Sequence, residues 1–139
     1  MNKSSPIMAQ QIAEAASAFE HRRTGHLPKS VNVVLNEDTL VITLRGALPP
    51  AEAALGKSPA GAAQMREYHR QLFASSAATL RQEIQKITGV EVCDARAEIE
   101  MTTGAVMELF PTGTVVQVFL LARGVPAGTW NGSGPGEHS

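Results

Sequence analysis

The chain has 139 residues, 43% apolar and 18% charged, with 12 basic and 13 acidic side chains and a net charge of −1. One domain of that size can bury a core without disulfides or metals, and the balanced charge excludes the clustered Lys and Arg of a general nucleic-acid or anionic-membrane surface. The lone cysteine, Cys93, excludes an intrachain disulfide and suits a reducing, cytoplasmic setting.

Residues 1–10 carry one lysine and no apolar run of signal-peptide length. A first helix is expected over Ile7 to Arg23. Met8, Ile12, Ala15 and Phe19 recur there at helical steps. Ser4 or Ser5 with Pro6 suits its start, and Gly25 suits its stop. His21, Arg22 and Arg23 favour the negative end of the helix dipole. Val31 to Leu35 and Thr39 to Arg45 then read as a hairpin about Asn36-Glu37-Asp38. Leu40, Ile42 and Leu44 alternate with Val41, Thr43 and Arg45, as in an antiparallel sheet covered on one face.

Gly46 to Ser58 is a connection rich in Gly, Pro and Ala. Pro49-Pro50 opens a short helical turn carrying Glu52 and Leu55. Ser58-Pro59 is a helix start, with Ser as N-cap and Pro at the first helical position. No proline interrupts the run to Thr88, and Gly89 is its stop. Met65, His69, Leu72, Ser76, Leu80, Ile84 and Ile87 form its apolar stripe. Thirty helical residues span roughly 45 Å. Such a rod projects from a domain of this size, bends, or packs on a second copy.

Val90 to Met101 is a third strand. Its phase switches near Cys93, the mark of a bulge. Thr102-Thr103-Gly104 is a turn, Ala105 to Phe110 a fourth strand, Pro111-Thr112-Gly113 a turn, and Thr114 to Ala122 a fifth, very apolar strand. No run approaches the roughly 18 apolar residues of a membrane span, so direct membrane insertion is not expected. Residues 124–139 hold five glycines and two prolines and read as a disordered tail. The fold expected is α+β over residues 1–123, in the order α-β-β-α-β-β-β. An antiparallel sheet of about five strands packs against the long helix and the N-terminal helix.

The chemistry-bearing residues are scattered. His21, His26, His69 and Cys93 lack paired ligand spacings, so no metal site is expected. His69 on the apolar stripe reads as a hydrogen-bonded core histidine. Cys93 inside a strand reads as a buried, inert thiol. No serine has nucleophile-elbow context. Glu98 and Glu100 share one strand face, read as solvated. No catalytic residue and no cofactor are expected.

Two anion readings remain. Gly56-Lys57-Ser58 before a helix fails the full phosphate-loop pattern, but Lys57 and Ser58 beside a helix N-terminus are a candidate anion site. Arg22, Arg23, His26 and Lys29 form a small basic patch at which a partner's carboxylate or phosphate could dock. The small residues Ala74-Ser75-Ser76-Ala77-Ala78 allow close approach of another backbone, either the sheet or a second copy in a homodimer.

The signals, taken in order, resemble the MpsC-like family, described as a sodium-translocating membrane-potential-generating system component. The matching pieces are Thr24 to Lys29, Asp38 to Val41, Gly46-Ala47-Leu48 with Glu52 and Leu55, the long helix with Arg70, and Thr88 to Val92. The resemblance implies a small cytoplasmic protein associated with a membrane system that takes up bicarbonate or moves sodium. It supplies no catalytic residues. The segment Glu100 to Gly113 departs from the family's pattern.

The expected function is therefore a non-catalytic accessory or regulatory subunit. Its expected partner is a protein, at the cytoplasmic face of a membrane transporter. The alternative is a small-anion or nucleotide sensor at Lys57-Ser58. Gly25, Pro28, Leu48, Glu52, Arg70 and Gly89 are the candidate structural or partner-facing residues, with Glu52 and Arg70 as an ion pair.

Overall fold

A computed structural model describes residues 7–99 and 113–130. Helix α1 spans Met8–Thr24. Strands β1 (Ser30–Asn36) and β2 (Thr39–Arg45) form a hairpin in register from Ser30↔Arg45 to Asn36↔Thr39. Helices α2 (Pro50–Leu55) and α3 (Pro59–Thr88) follow. Then come β3 (Val92–Ile99), β4 (Val115–Leu121) and the helical turn α4 (Ala127–Trp130).

The fold is α+β with an antiparallel sheet, as expected. The described residues form four strands in the order β1-β2-β4-β3. The connection around Glu52 is a true helix, because Pro50 at its first position presets the backbone. The expected strand Ala105 to Phe110 lies outside the described residues, as do the turn before it and Pro111-Thr112. Within the segment read as a tail, Val125 and Trp130 pack partly buried against the core, which gives α4 an apolar anchor.

Inner-face residues follow from strand alternation. Leu40, Ile42 and Leu44 of β2 and Val115, Phe119 and Leu121 of β4 are buried. α1 and α3 cover that face, α1 over β1 and α3 over β3, and they touch each other. Phe73 joins three elements. Its ring meets Phe19 of α1 at 6.3 Å and Phe119 of β4 at 6.1 Å, both edge to face.

α3 is unbroken over 30 residues, but its inward line is shifted from the expected one. Ala62, His69, Phe73, Ala77, Leu80, Ile84 and Thr88 are buried, whereas Met65, Leu72, Ser76 and Ile87 flank them half-buried. The aromatic Phe73 and the small Ala77 seat the helix on the sheet. The Ala/Ser stretch thus divides: Ala77 faces the core, and Ala74, Ser75 and Ala78 face outward.

Both long helices end with one device. Gly25 and Gly89 each take φ 74, and their N–H groups donate to His21 O and Gln85 O at 2.8 Å. The preceding Thr24 and Thr88 hydroxyls donate to Glu20 O and Ile84 O, and accept from the N–H of His26 and Val90 at 3.1 Å.

The third-strand bulge falls at the expected place, between Val92 and Asp94. The expectation that Cys93 is buried is overturned. The extra residue is pushed out of the ladder, and its thiol is exposed.

Candidate functional site

The polar groups of greatest interest gather where α2 turns into α3. Ser58 caps α3, its hydroxyl accepting from Gly61 N–H at 3.0 Å. The corner is tight. A Cβ at Gly61 would lie 1.9 Å from Leu55 O, so only glycine fits. This close approach brings α2 alongside α3 and puts Glu52 over the second turn beyond the corner.

There Glu52 Oε1 lies 2.8 Å from His69 Nε2. The His69 side chain is 7% exposed and that of Glu52 26%. Tyr68 stacks edge-on to the imidazole at 5.4 Å. The other ring nitrogen, His69 Nδ1, is buried without a partner. Deeper in the fold, Thr114 Oγ1 and both polar atoms of the Gln117 side-chain amide are also buried without partners. Gln117 follows from alternation, since it shares a face with Val115 and Phe119; reading β4 only as an apolar run hides it.

The expected Glu52–Arg70 pair is corrected. Glu52 takes His69, one residue earlier, because α3 turns 100° per residue and points Arg70 the other way. Arg70 instead reaches the sheet edge, donating to Glu98 from Nε and Nη2 at 3.2 and 3.0 Å, and to Glu67 at 2.6 Å. Glu98, by hydrogen bond and charge, raises the guanidinium above its already high ordinary pKa. The cluster is exposed, so its energetic weight is small.

The remaining singled-out residues serve shape. Gly25 and Gly89 are the two left-handed helix stops. Leu48 is buried in the core and rests against Gly113. Pro28 is half-buried between α1 and β1. Lys57 is exposed at the corner. Pro59 has no N–H, Gly61 donates to the Ser58 hydroxyl and Ala62 to Ser58 O, so the first turn of α3 keeps only the Ala60 N–H for an anion.

The basic patch is divided by the fold. Arg23 turns inward, bonds Glu20 and lies 5.0 Å over the Phe19 ring. Glu20 is fully buried. Sequence reading left this pair out, although the i, i+3 spacing of opposite charges was its signal. His26 Nε2 meets Gly46 O at 3.0 Å. The Lys29 stem crosses Gly46, whose φ of 66 and lack of a Cβ make room for it. Arg22 stays exposed. Among the described residues no group of three or more His, Cys, Asp or Glu could hold a metal ion.

Comparison with known proteins adds a lineage. Residues 6–114 match the model of a family described as Na+-translocating membrane potential-generating system (MpsC). The chain is also 26% identical over 110 residues to "Uncharacterized protein YbcI" of Bacillus subtilis (strain 168), covering 79% of this chain and 89% of that one. No solved structure matches.

Proposed function

We propose a role from one premise: the chain belongs to the MpsC family, and within a sodium-translocating membrane-potential system it serves as a non-catalytic accessory or regulatory subunit. The family match across most of the chain carries this reading. In it the sodium path lies in membrane subunits, and this chain binds a protein at their cytoplasmic face. It acts there as a homodimer. No helix among the described residues is long and apolar enough to cross a membrane, which accords with that division of labour. The Glu52–His69 pair is read as structural, because it ties α2 to α3 rather than presenting an acid and a base to solvent. In this reading the system takes up bicarbonate.

Deleting the gene in its native cell tests this. The expected result is reduced sodium-dependent membrane potential and reduced bicarbonate uptake, both restored by the intact gene. The purified chain alone in vesicles should carry no sodium flux. Unchanged potential and uptake on deletion, or sodium flux by the chain alone, would sink the reading.

A second reading makes the chain a sensor of a small anion or nucleotide at Lys57 and Ser58. The exposed Lys57 beside the start of a 30-residue helix favours it. Thermal-shift titration with bicarbonate and nucleotides should then show stabilisation that Lys57→Ala abolishes. A flat response to every anion removes this reading.

A further inference from the structure

The outer face of the sheet, opposite the helices, is apolar at its centre. Val34, Val41 and Val118 lie abreast on β1, β2 and β4, in a row that ends at Arg96 of β3. Val116 and Leu120 extend the patch along β4. Val34, Val118 and Leu120 are 59, 37 and 43% exposed. Isolated exposed apolar residues are ordinary, but a contiguous patch on a sheet with a polar surround marks a contact surface.

The surround has a pattern. One flanking row runs Asn32–Thr43–Val116–Glu98 and the other Asn36–Thr39–Leu120–Asp94. The β1 side thus presents amides, with Arg45 of β2 donating to Asn32 Oδ1 at 2.7 Å, and the β3 edge presents Asp94 and Glu98 about Arg96, Asp94 paired with Arg96 and Glu98 also holding Arg70 of α3. Two stacked sheets lie about 10 Å apart with strands nearly aligned. A two-fold axis across the strands would set β3 on β3, with Asp94 against Glu98 and Arg96 against Arg96. The charges that β3 carries would then oppose their like. An axis along the strands sets β1 of one copy on β3 of the other. Asn32 then faces Glu98, Asn36 faces Asp94, and Val34 lies over the aliphatic stem of Arg96, while β2 covers β4 and joins the valines at the centre. Glu98 meets Asn32 and the Arg45 guanidinium beside it, Asp94 meets an amide donor, and apolar atoms meet apolar atoms.

We propose that this face is the homodimer interface, two copies stacking their open sheets about a two-fold axis that runs along the strands. The inference deepens the functional reading, since it rests on the homodimer in it and names the surface. The outer side of α3, with Ala74 and Ala78, then stays free for other partners.

Sedimentation velocity and light scattering on the purified full chain test it. The wild type should be dimeric at micromolar concentration. Val118→Lys should weaken the dimer about a hundredfold while circular dichroism and cooperative melting stay intact. Arg45→Glu removes the cation beside Asn32, sets a carboxylate toward Glu98 of the second copy and should weaken the dimer about tenfold. Adding Glu98→Lys to that chain should restore it, and only the strand-parallel axis predicts the rescue. The Arg45→Glu pair of variants stands even if Val118→Lys does not fold. A monomeric wild type would overturn both the inference and the homodimer in the functional reading. A dimer that resists these changes, or that Ala78→Glu on α3 separates, would overturn the sheet face alone.

Discussion

The two ends of α3 are held by different physics. The C-terminal end is apolar and locally capped: Ile84 is fully buried, Val90 and Val92 are nearly so, and the Thr88 hydroxyl and the Gly89 N–H close the helix. The N-terminal end is positioned from outside the helix. Gly61 admits the carbonyl of Leu55, and His69 takes Glu52 from α2. One end is secured by what it excludes from water, the other by a steric fit and a polar contact. The first combines apolar burial against the sheet with a cap made by its own residues. The second depends on α2 arriving in one place.

Substitutions sharpen the contrast. Ile84→Ala at the apolar end should cost about 3 kcal/mol through lost burial and the cavity left behind, read as a shift in the denaturation midpoint. Gly61→Ala should cost about 2 kcal/mol, because the methyl group meets a backbone oxygen that can only withdraw by moving α2. Near-neutrality there would mean that the corner is loose. Glu52→Ala should cost about 1 kcal/mol by stranding the second nitrogen of a buried imidazole. Chemical denaturation measures it, and hydrogen exchange should rise in the first turns of α3 but not the last. Arg70→Ala should leave the midpoint unchanged, since its partners are exposed. A measurable loss would show that the sheet edge and α3 are coupled.

The same contrast explains what the sequence discloses. Caps are local, so Ser58-Pro59, Thr24-Gly25 and Thr88-Gly89 mark their helix ends correctly. The hairpin register follows from Leu40, Ile42 and Leu44 alternating, and the phase switch locates the bulge at Cys93. Tertiary choices are hidden. Opposite charge suggested Arg70 for Glu52, yet a single residue's rotation about the helix gives the contact to His69. Apolar counting favoured Leu72 over Phe73, because two covering layers blur which of two adjacent lines points inward. Cys93 was read as buried from its strand, although a bulged residue leaves the ladder. The central place of β4 depends on a partner strand far away in sequence, and no local signal carries it.

That central place has a consequence for how the molecule comes into being. The last described strand separates β2 from β3, so the hairpin made by residues 30–45 keeps a bare, hydrogen-bonding flank until residues 115–121 are available. Assembly is therefore governed by distant contacts and completes late, in one closing step. A nascent or truncated chain lacking that strand would offer β2 to whatever extended segment came first, and so would be prone to aggregate.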